Sequence, residues 1–540
     1  MVIAGYPGAY SAHVDTFARD SLPPPEQWPV LILDRPEVQY PERINCGVAL
    51  CDDAVAEGFG GKIAIHSDAA SWTYAQLLDC ANRIANVLQK ELGVVPGNRV
   101  LLRAPNTPML AAAWLAVMKA GAIAVTTMPL LRARELVQIA DKARVDCALC
   151  DVQLIEEASL AATQTERLKK ILTWGDGQME AMMQRQPSVF ANVATARDDV
   201  CIIAFTSGTT GEPKATLHFH RDILAMADIV GRHLLGTAPD DVYVGSPPLG
   251  FTYGLGALLV MPLRYRSATV LIEKATPENL LSAVRRFQGT CLFTSPTMYQ
   301  QLVRLIGAAE LATLRASVSA GEPLSRATWE AWAGRTGIRL IDGIGATELI
   351  HIFIGARGAD IRPGATGRPL PGYQAVVLDD QHRPLPRGSS GRLAVRGPTG
   401  CRYLSDDRQR GYVVDGWNVT GDRYRVDEDG YFWFEARSDD MIISAGYNIA
   451  GPEVESALIG HPAVKEAAVV AAPDVERGNV VKAFVVVNSG VVPTQQLARE
   501  LQDFVKRTIA PYKYPRVVTF IDSLPRTPTG KVSRQALRGQ

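Results

Sequence analysis

Nine consecutive residues, Thr-Ser-Gly-Thr-Thr-Gly-Glu-Pro-Lys at 206–214, hold four hydroxyls, two glycines and a terminal lysine. They follow the apolar run 200–205, which reads as a buried strand. Small residues at a strand end let backbone N–H groups converge on an anion. Hydroxyls and an ammonium then complete a phosphate cradle. The spacing is not that of the common P-loop, because Lys214 follows a proline and precedes Ala215. The loop predicts a grip on ATP phosphates by Thr206, Ser207, Gly208, Thr209, Thr210, Gly211 and Lys214. A glycine-rich hairpin turn without a ligand is the plainer alternative.

Four further segments belong with this loop. Asp342-Gly343-Ile344-Gly345-Ala346-Thr347-Glu348 joins a flexible backbone to a hydroxyl and a carboxylate. Glu348 has the hard oxygens that Mg²⁺ prefers; taken singly, a turn followed by a helix-capping acid is the commoner reading. Trp417-Asn418-Val419-Thr420-Gly421-Asp422 sets a carboxylate after a turn, where it can accept both ribose hydroxyls or merely cap the turn. Ser444-Ala445-Gly446 is a small-residue loop that lets backbone approach a ligand closely. Pro525-Arg526-Thr527-Pro528-Thr529-Gly530-Lys531 presents a lysine on a stiff turn; alone, Lys531 reads as a solvated surface residue.

The elements that must position these groups follow from pattern and composition. Helical runs at 72–92, 109–119 and 134–143 alternate with strand-like runs at 99–102, 122–126 and 147–150. That alternation predicts layered α/β architecture with largely parallel strands. From Gly364 glycine and proline become frequent and short strands such as 375–378 and 392–395 dominate, which predicts a β-rich subdomain. A break near Arg437-Ser438-Asp439-Asp440 leaves about a hundred residues, enough for a small α+β domain. The predicted division is 1–437 and 438–540.

The 540 residues carry 56 Lys+Arg against 56 Asp+Glu, so no net field favours a polyanion and nucleic acid is a poor partner. The apolar stretch 110–131 is broken by Lys119, Gly121 and Pro129 and reads as helix then strand, not a membrane span. No basic-then-apolar leader opens the chain, so a cytoplasmic protein is expected. Cys147 and Cys150 lack a second pair at zinc spacing.

Together the five segments, in this order, resemble the acyl-adenylate-forming superfamily of acyl-CoA synthetases, carrier-protein adenylation domains and luciferases, from about Trp72 to Lys531. The resemblance implies a large N-terminal domain and a mobile C-terminal lid. It implies ATP, Mg²⁺ and coenzyme A: carboxylate and MgATP give acyl-AMP and pyrophosphate, then a thiol displaces AMP. By the same resemblance Gly321, Glu322 and Pro323 border the adenine, with Asp342, Gly343 and Ile344 beside the nucleotide. Thr347 and Glu348 touch the α-phosphate and the metal, and Asp422 holds the ribose with Arg437 nearby. Asp439 is the hinge, Lys531 bridges carboxylate and α-phosphate, and Ser444, Ala445 and Gly446 line the thiol channel.

Ile344 stands where most relatives carry an aromatic residue. Asp-Gly-Ile-Gly-x-Thr-Glu, with His351 and the run Phe251-Thr252-Tyr253-Gly254, is similar to the benzoate-CoA ligase branch. Phe251, Tyr253, Gly254, Ile344, Gly345 and His351 are then the aryl-acid pocket candidates, although Phe251 and Tyr253 can equally be core aromatics and His351 can equally make a structural hydrogen bond. The N-terminal stretch resembles ligases assigned to 2-aminobenzoate, so that acid is the first expectation and benzoate the second. An adenylation enzyme serving a carrier protein in trans is the near rival, and a homodimer is left open. A nucleotide-binding regulator without turnover would be expected to have lost Lys214, Glu348 or Lys531, and all three are present.

Overall fold

The computed structural model describes residues 8, 10–206, 213–306, 311–437, 440–444, 447–474, 478–509, 511–527 and 530–539. Two large sheets form its centre. The first has six strands in the order Lys170–Trp174, Cys147–Asp151, Arg99–Arg103, Ile123–Thr127, Val200–Thr206, Lys214–Phe219. Its pairs are parallel except the last, where Thr206 opposes Lys214 in an antiparallel ladder. The phosphate-loop candidate therefore joins two antiparallel strands. It does not lead from strand to helix as in a P-loop.

The second sheet has nine strands. Its middle is parallel, running through Val242–Gly245, Cys291–Thr294, Ala316–Ala320 and Ile341–Gly345. One edge closes with the antiparallel strands Ile352–Gly355 and Arg368–Pro369. A single apolar cluster includes Val100, Ala124 and Ile202 of the first sheet with Tyr243, Phe293 and Val318 of the second. Parallel strands buried on both faces need near-continuous apolar sequence, which these runs supply.

The predicted β-rich part is an antiparallel sheet of Gln374–Leu378, Ser390–Arg396, Trp417–Val426 and Phe432–Arg437, with Val413–Val414 on one side. Beyond it lie the hairpin Met441–Ser444 with Tyr447–Ala450 and a sheet of Val464–Asp474, Gly478–Val487 and Val517–Phe520. Helices Gly451–Ile459 and Gln495–Thr508 pack their Val454, Leu458, Leu501 and Val505 into the core of this part.

One predicted element changes. Residues 72–92 do not form one helix, because Ser71–Thr73 is a strand pairing with Ile63–His66. The Thr73 hydroxyl accepts the Gln76 N–H at 3.2 Å, and the Gln76 side chain accepts the Thr73 N–H at 2.8 Å. This reciprocal cap starts the helix at Tyr74. The stretch 110–131 is a helix followed by a strand, and no described helix is long and apolar enough to cross a membrane.

Candidate active site

Several groups singled out in the sequence lie at the carboxyl ends of parallel strands, where open α/β sheets bind ligands. Thr206 ends Val200–Thr206, Gly321 and Glu322 follow Ala316–Ala320, and Thr347 and Glu348 follow Ile341–Gly345. Ser207 to Gly211, Asp439, Ala445 and Gly446 lie outside the described residues.

Thr347 and Glu348 occupy a single 3₁₀ turn, Thr347–Leu349, closed by Ile350 at φ 68°. The turn is held from below by His218, whose Nε2 donates to the Thr347 carbonyl at 2.8 Å. Glu348 is buried, and its Oε1 accepts the Tyr403 hydroxyl at 2.5 Å. Lys214 Nζ lies 5.3 Å from the centre of that same tyrosine ring. Tyr403 therefore links two predicted site residues, yet nothing in Cys-Arg-Tyr-Leu marks it beforehand.

Asp422 sits opposite Arg437 across the Trp417–Val426 and Phe432–Arg437 ladder, with Arg437 Nη1 donating to Asp422 Oδ1 at 3.3 Å. A Cβ on Gly421 would stand 2.4 Å from Arg437 Nη2, so a side chain there would push the guanidinium aside. Glu322 is fixed by the Thr297 hydroxyl, which donates to Oε2 at 2.7 Å. Gly321 adopts φ 91°, a left-handed conformation that favours glycine.

Lys531 reaches these groups from the far end of the chain. Its turn is pinned by Thr527 N–H to the Lys531 carbonyl at 2.7 Å and Gly530 N–H to the Thr527 carbonyl at 2.8 Å. Lys531 Nζ lies 5.9 Å from the centre of the Phe251 ring. The side chain keeps an opening to solvent, while the cleft walls crowding it lower the ammonium pKa. Glu322, Asp422 and Glu348 oppose that shift and Arg437 adds to it. The C-terminal part is thus docked with its lysine among the acids of the cleft.

The aryl-pocket candidates divide. Phe251 lines a cleft with Thr126, Ile203, Phe205, Leu255 and Thr347. Tyr253 is half-buried and His351 buried, their rings 5.5 Å apart. Gly254 answers to the chain itself, since a Cβ there would meet the Pro248 carbonyl oxygen at 2.1 Å. Gly345 allows the close return of the His351 backbone, 2.7 Å from where its Cβ would stand. Ile344 pairs with Ile354 and packs on the main core. Ser444, the described part of the thiol-channel candidate, is buried opposite Tyr447 in its hairpin.

His351 is almost wholly buried. Its Nε2 lies 3.3 Å from the Tyr253 carbonyl, while its Nδ1 has no partner among the described residues. A carbonyl can only accept, so Nε2 carries the proton and Nδ1 keeps a lone pair. Burial lowers the His351 pKa to about 4, and does the same for His218. Asp342, half-buried beside Thr366, is pushed up to about 7 by desolvation.

These shifts set a pH dependence. As pH falls from 6.5 to 4, the unfolded chain protonates both imidazoles and the folded chain does not, so stability falls. Asp342 works the other way, because between 7 and 3.8 the folded carboxyl keeps a proton that the unfolded chain releases. Asp342→Asn is expected to steepen the loss of Tm on acidification, read from thermal melts between pH 7 and 4. A slope equal to wild type contradicts the assignment.

Elsewhere Cys46, Cys201 and His220 meet in the interior. His220 Nδ1 already accepts the Cys46 N–H at 3.1 Å, which commits its lone pair to the backbone.

A cleft bordered by a hydroxyl- and lysine-flanked hairpin, a buried carboxylate, an Asp–Arg pair and a lysine delivered by a C-terminal unit defines a nucleotide-activating enzyme. The sequence pattern of the AMP-binding enzymes matches residues 52–403, and that of the AMP-binding enzyme C-terminal domain matches 453–531. The chain belongs to the AMP-binding enzyme family. It is similar to a benzoate–CoA ligase of Thauera aromatica, 33% identical over 512 residues covering 93% of this chain and 97% of the relative. The crystal structure of an anthranilate CoA ligase in complex with anthranoyl-AMP shares the fold with a TM-score of 0.88 and 33% identity, over 93% of this chain and 98% of that one. A benzoate CoA ligase from Burkholderia xenovorans LB400 gives a TM-score of 0.85 and 31% identity, over 92% of this chain and 100% of that one. Within the family the chain stands on the benzoate–CoA ligase branch. It is an AMP-forming acid–thiol ligase that uses ATP and CoA.

Proposed function

We propose that the chain is a 2-aminobenzoate:CoA ligase, with benzoate as the alternative acid. What supports this reading is the similarity to an anthranilate CoA ligase, together with His351 Nδ1, an acceptor without a partner among the described residues that is closed off here and would meet a substrate only if the Tyr253 and His351 rings part. A ring amino group ortho to the carboxylate would then supply the missing N–H, and benzoate would not. The similarity to an anthranilate CoA ligase supports the same choice, while the two benzoate ligases support the alternative.

In this reading Thr206 to Lys214 grip the outer phosphates, and Thr347 and Glu348 attend the α-phosphate. Asp422 holds the ribose. Glu348 is a fitting Mg²⁺ ligand: one oxygen is tied to Tyr403 and the other has no partner among the described residues. The metal, once held there, neutralises phosphate charge. Residues 438–540 act as the lid, hinged at Asp439, and Ser444 to Gly446 line the thiol path after rotation. The setting is the cytoplasm.

The test is AMP release with CoA across benzoate, the three aminobenzoates, hydroxybenzoates, phenylacetate and a medium-chain fatty acid. Preference for 2-aminobenzoate upholds the proposal, and turnover of aliphatic acids alone sinks it. His351→Leu is expected to shrink the kcat/KM preference for 2-aminobenzoate over benzoate about tenfold, the worth of one hydrogen bond. An unchanged ratio removes His351 from substrate selection.

A further inference from the structure

Tyr403 has no place in the reading above, yet it touches two of its residues. Its side chain is fully buried, its hydroxyl donates to Glu348 Oε1 at 2.5 Å, and Lys214 Nζ stands 5.3 Å from the ring centre. Its backbone is laced to the strand that leaves the phosphate hairpin. Leu217 N–H donates to the Arg402 carbonyl at 2.8 Å, and Leu404 N–H donates to the Ala215 carbonyl at 2.9 Å. The Tyr403 N–H donates to Gln409 Oε1 at 2.9 Å, and Gln409 is itself buried. Tyr412 closes the other side, its ring edge-on at 5.7 Å. The phenol is therefore fixed from every direction before any ligand arrives.

From this geometry we infer that Tyr403 is the positioning residue for the metal-binding carboxylate: it locks Oε1 of Glu348 so that the other oxygen is held ready for the cation on ATP. The inference rests on the reading of Glu348 as the Mg²⁺ ligand. A carboxylate on a free rotor would have to be ordered when MgATP binds, at a cost in side-chain entropy. A phenol donor restricts that rotor in advance without adding a competing charge. A tyrosine present only to fill the core would act through its ring, and replacing it with phenylalanine would leave metal binding alone.

The experiment measures binding of MnATP to the full-length enzyme, without carboxylic acid, from the Mn²⁺ EPR signal. Tyr403→Phe is expected to weaken binding about tenfold, the scale of one hydrogen bond to a charged group. Its Tm and its conversion of supplied acyl-AMP to thioester should stay near wild type. Tyr412→Phe, which keeps the ring against Tyr403, should bind MnATP as wild type does. The double variant Tyr403→Phe/Glu348→Gln should lose no more than Glu348→Gln alone. If Glu348→Gln weakens MnATP and Tyr403→Phe does not, the Tyr403 role falls and the reading of Glu348 stands. If Glu348→Gln itself binds MnATP normally, both fall. A Tyr403→Phe protein that binds MnATP normally but melts lower assigns the tyrosine to packing and overturns the inference.

Discussion

Lys531→Ala is expected to lower acyl-AMP formation by about two to three orders of magnitude, the scale set by removing one preorganised charge-stabilising group. Attack of the carboxylate on the α-phosphorus gathers negative charge on the phosphate as pyrophosphate departs. Lys531 is already placed for that charge: it stands in the cleft under the influence of Glu322, Asp422 and Glu348. The acids partly offset the lowering of its pKa by the desolvating walls, and Arg437 adds to that lowering. Because the lysine belongs to a separate C-terminal turn, its loss leaves the phosphate hairpin and the Asp422–Arg437 pair untouched. Conversion of supplied acyl-AMP by CoA should therefore proceed nearly as in wild type. The measurement is pyrophosphate release in one assay and thioester formation from acyl-AMP in the other. Equal losses in both would refute a lysine dedicated to the first half-reaction.

Asp222→Ala should give the largest loss of stability, about 3–5 kcal/mol, since it strands a buried charge. Arg402 and Asp222 are both fully buried and meet at 2.7 Å. The guanidinium lies between aromatic faces, 4.8 Å from the Trp28 ring and 4.3 Å from the Phe219 ring. Asp222 Oδ2 also accepts the Phe219 N–H at 3.0 Å, so the first turn of the following helix loses a cap as well. Arg402 precedes Tyr403, so damage should reach the cleft: the variant is expected to bind MgATP more weakly as well as to melt early. Denaturant unfolding checks the first effect. A change below about 1 kcal/mol, the scale of an exposed pair, would contradict the burial argument.

The sequence made some of this legible and hid the rest for physical reasons. The loop at 206–214, Glu348, Asp422 and Lys531 announce themselves because each sits in a short run of glycines, hydroxyls or prolines whose conformation is local. The alternation of helix and strand is equally local, and the helices and strands expected between 99 and 150 appear within a residue or two of their places. What stayed hidden depends on pairing across long stretches of chain. Tyr403 meets Glu348 across 55 positions, and Arg402 meets Asp222 across 180. No periodicity encodes such contacts. For the phosphate loop a hairpin is expected only as the ligand-free alternative, because an apolar run does not reveal whether its neighbour is parallel. Gly254 and Gly345 carry a further requirement that the motif does not reveal: close backbone contacts demand glycine at both, whatever else they face.

All eight cysteines are buried and none is in a disulfide. For a ligase whose second substrate is itself a thiol, that distribution has a chemical consequence. Thiol–disulfide exchange requires a thiolate that can reach the attacking sulfur. Coenzyme A, reduced or as its disulfide, finds no such sulfur on this surface, so the enzyme can work in a concentrated pool of its own co-substrate without becoming covalently capped by it.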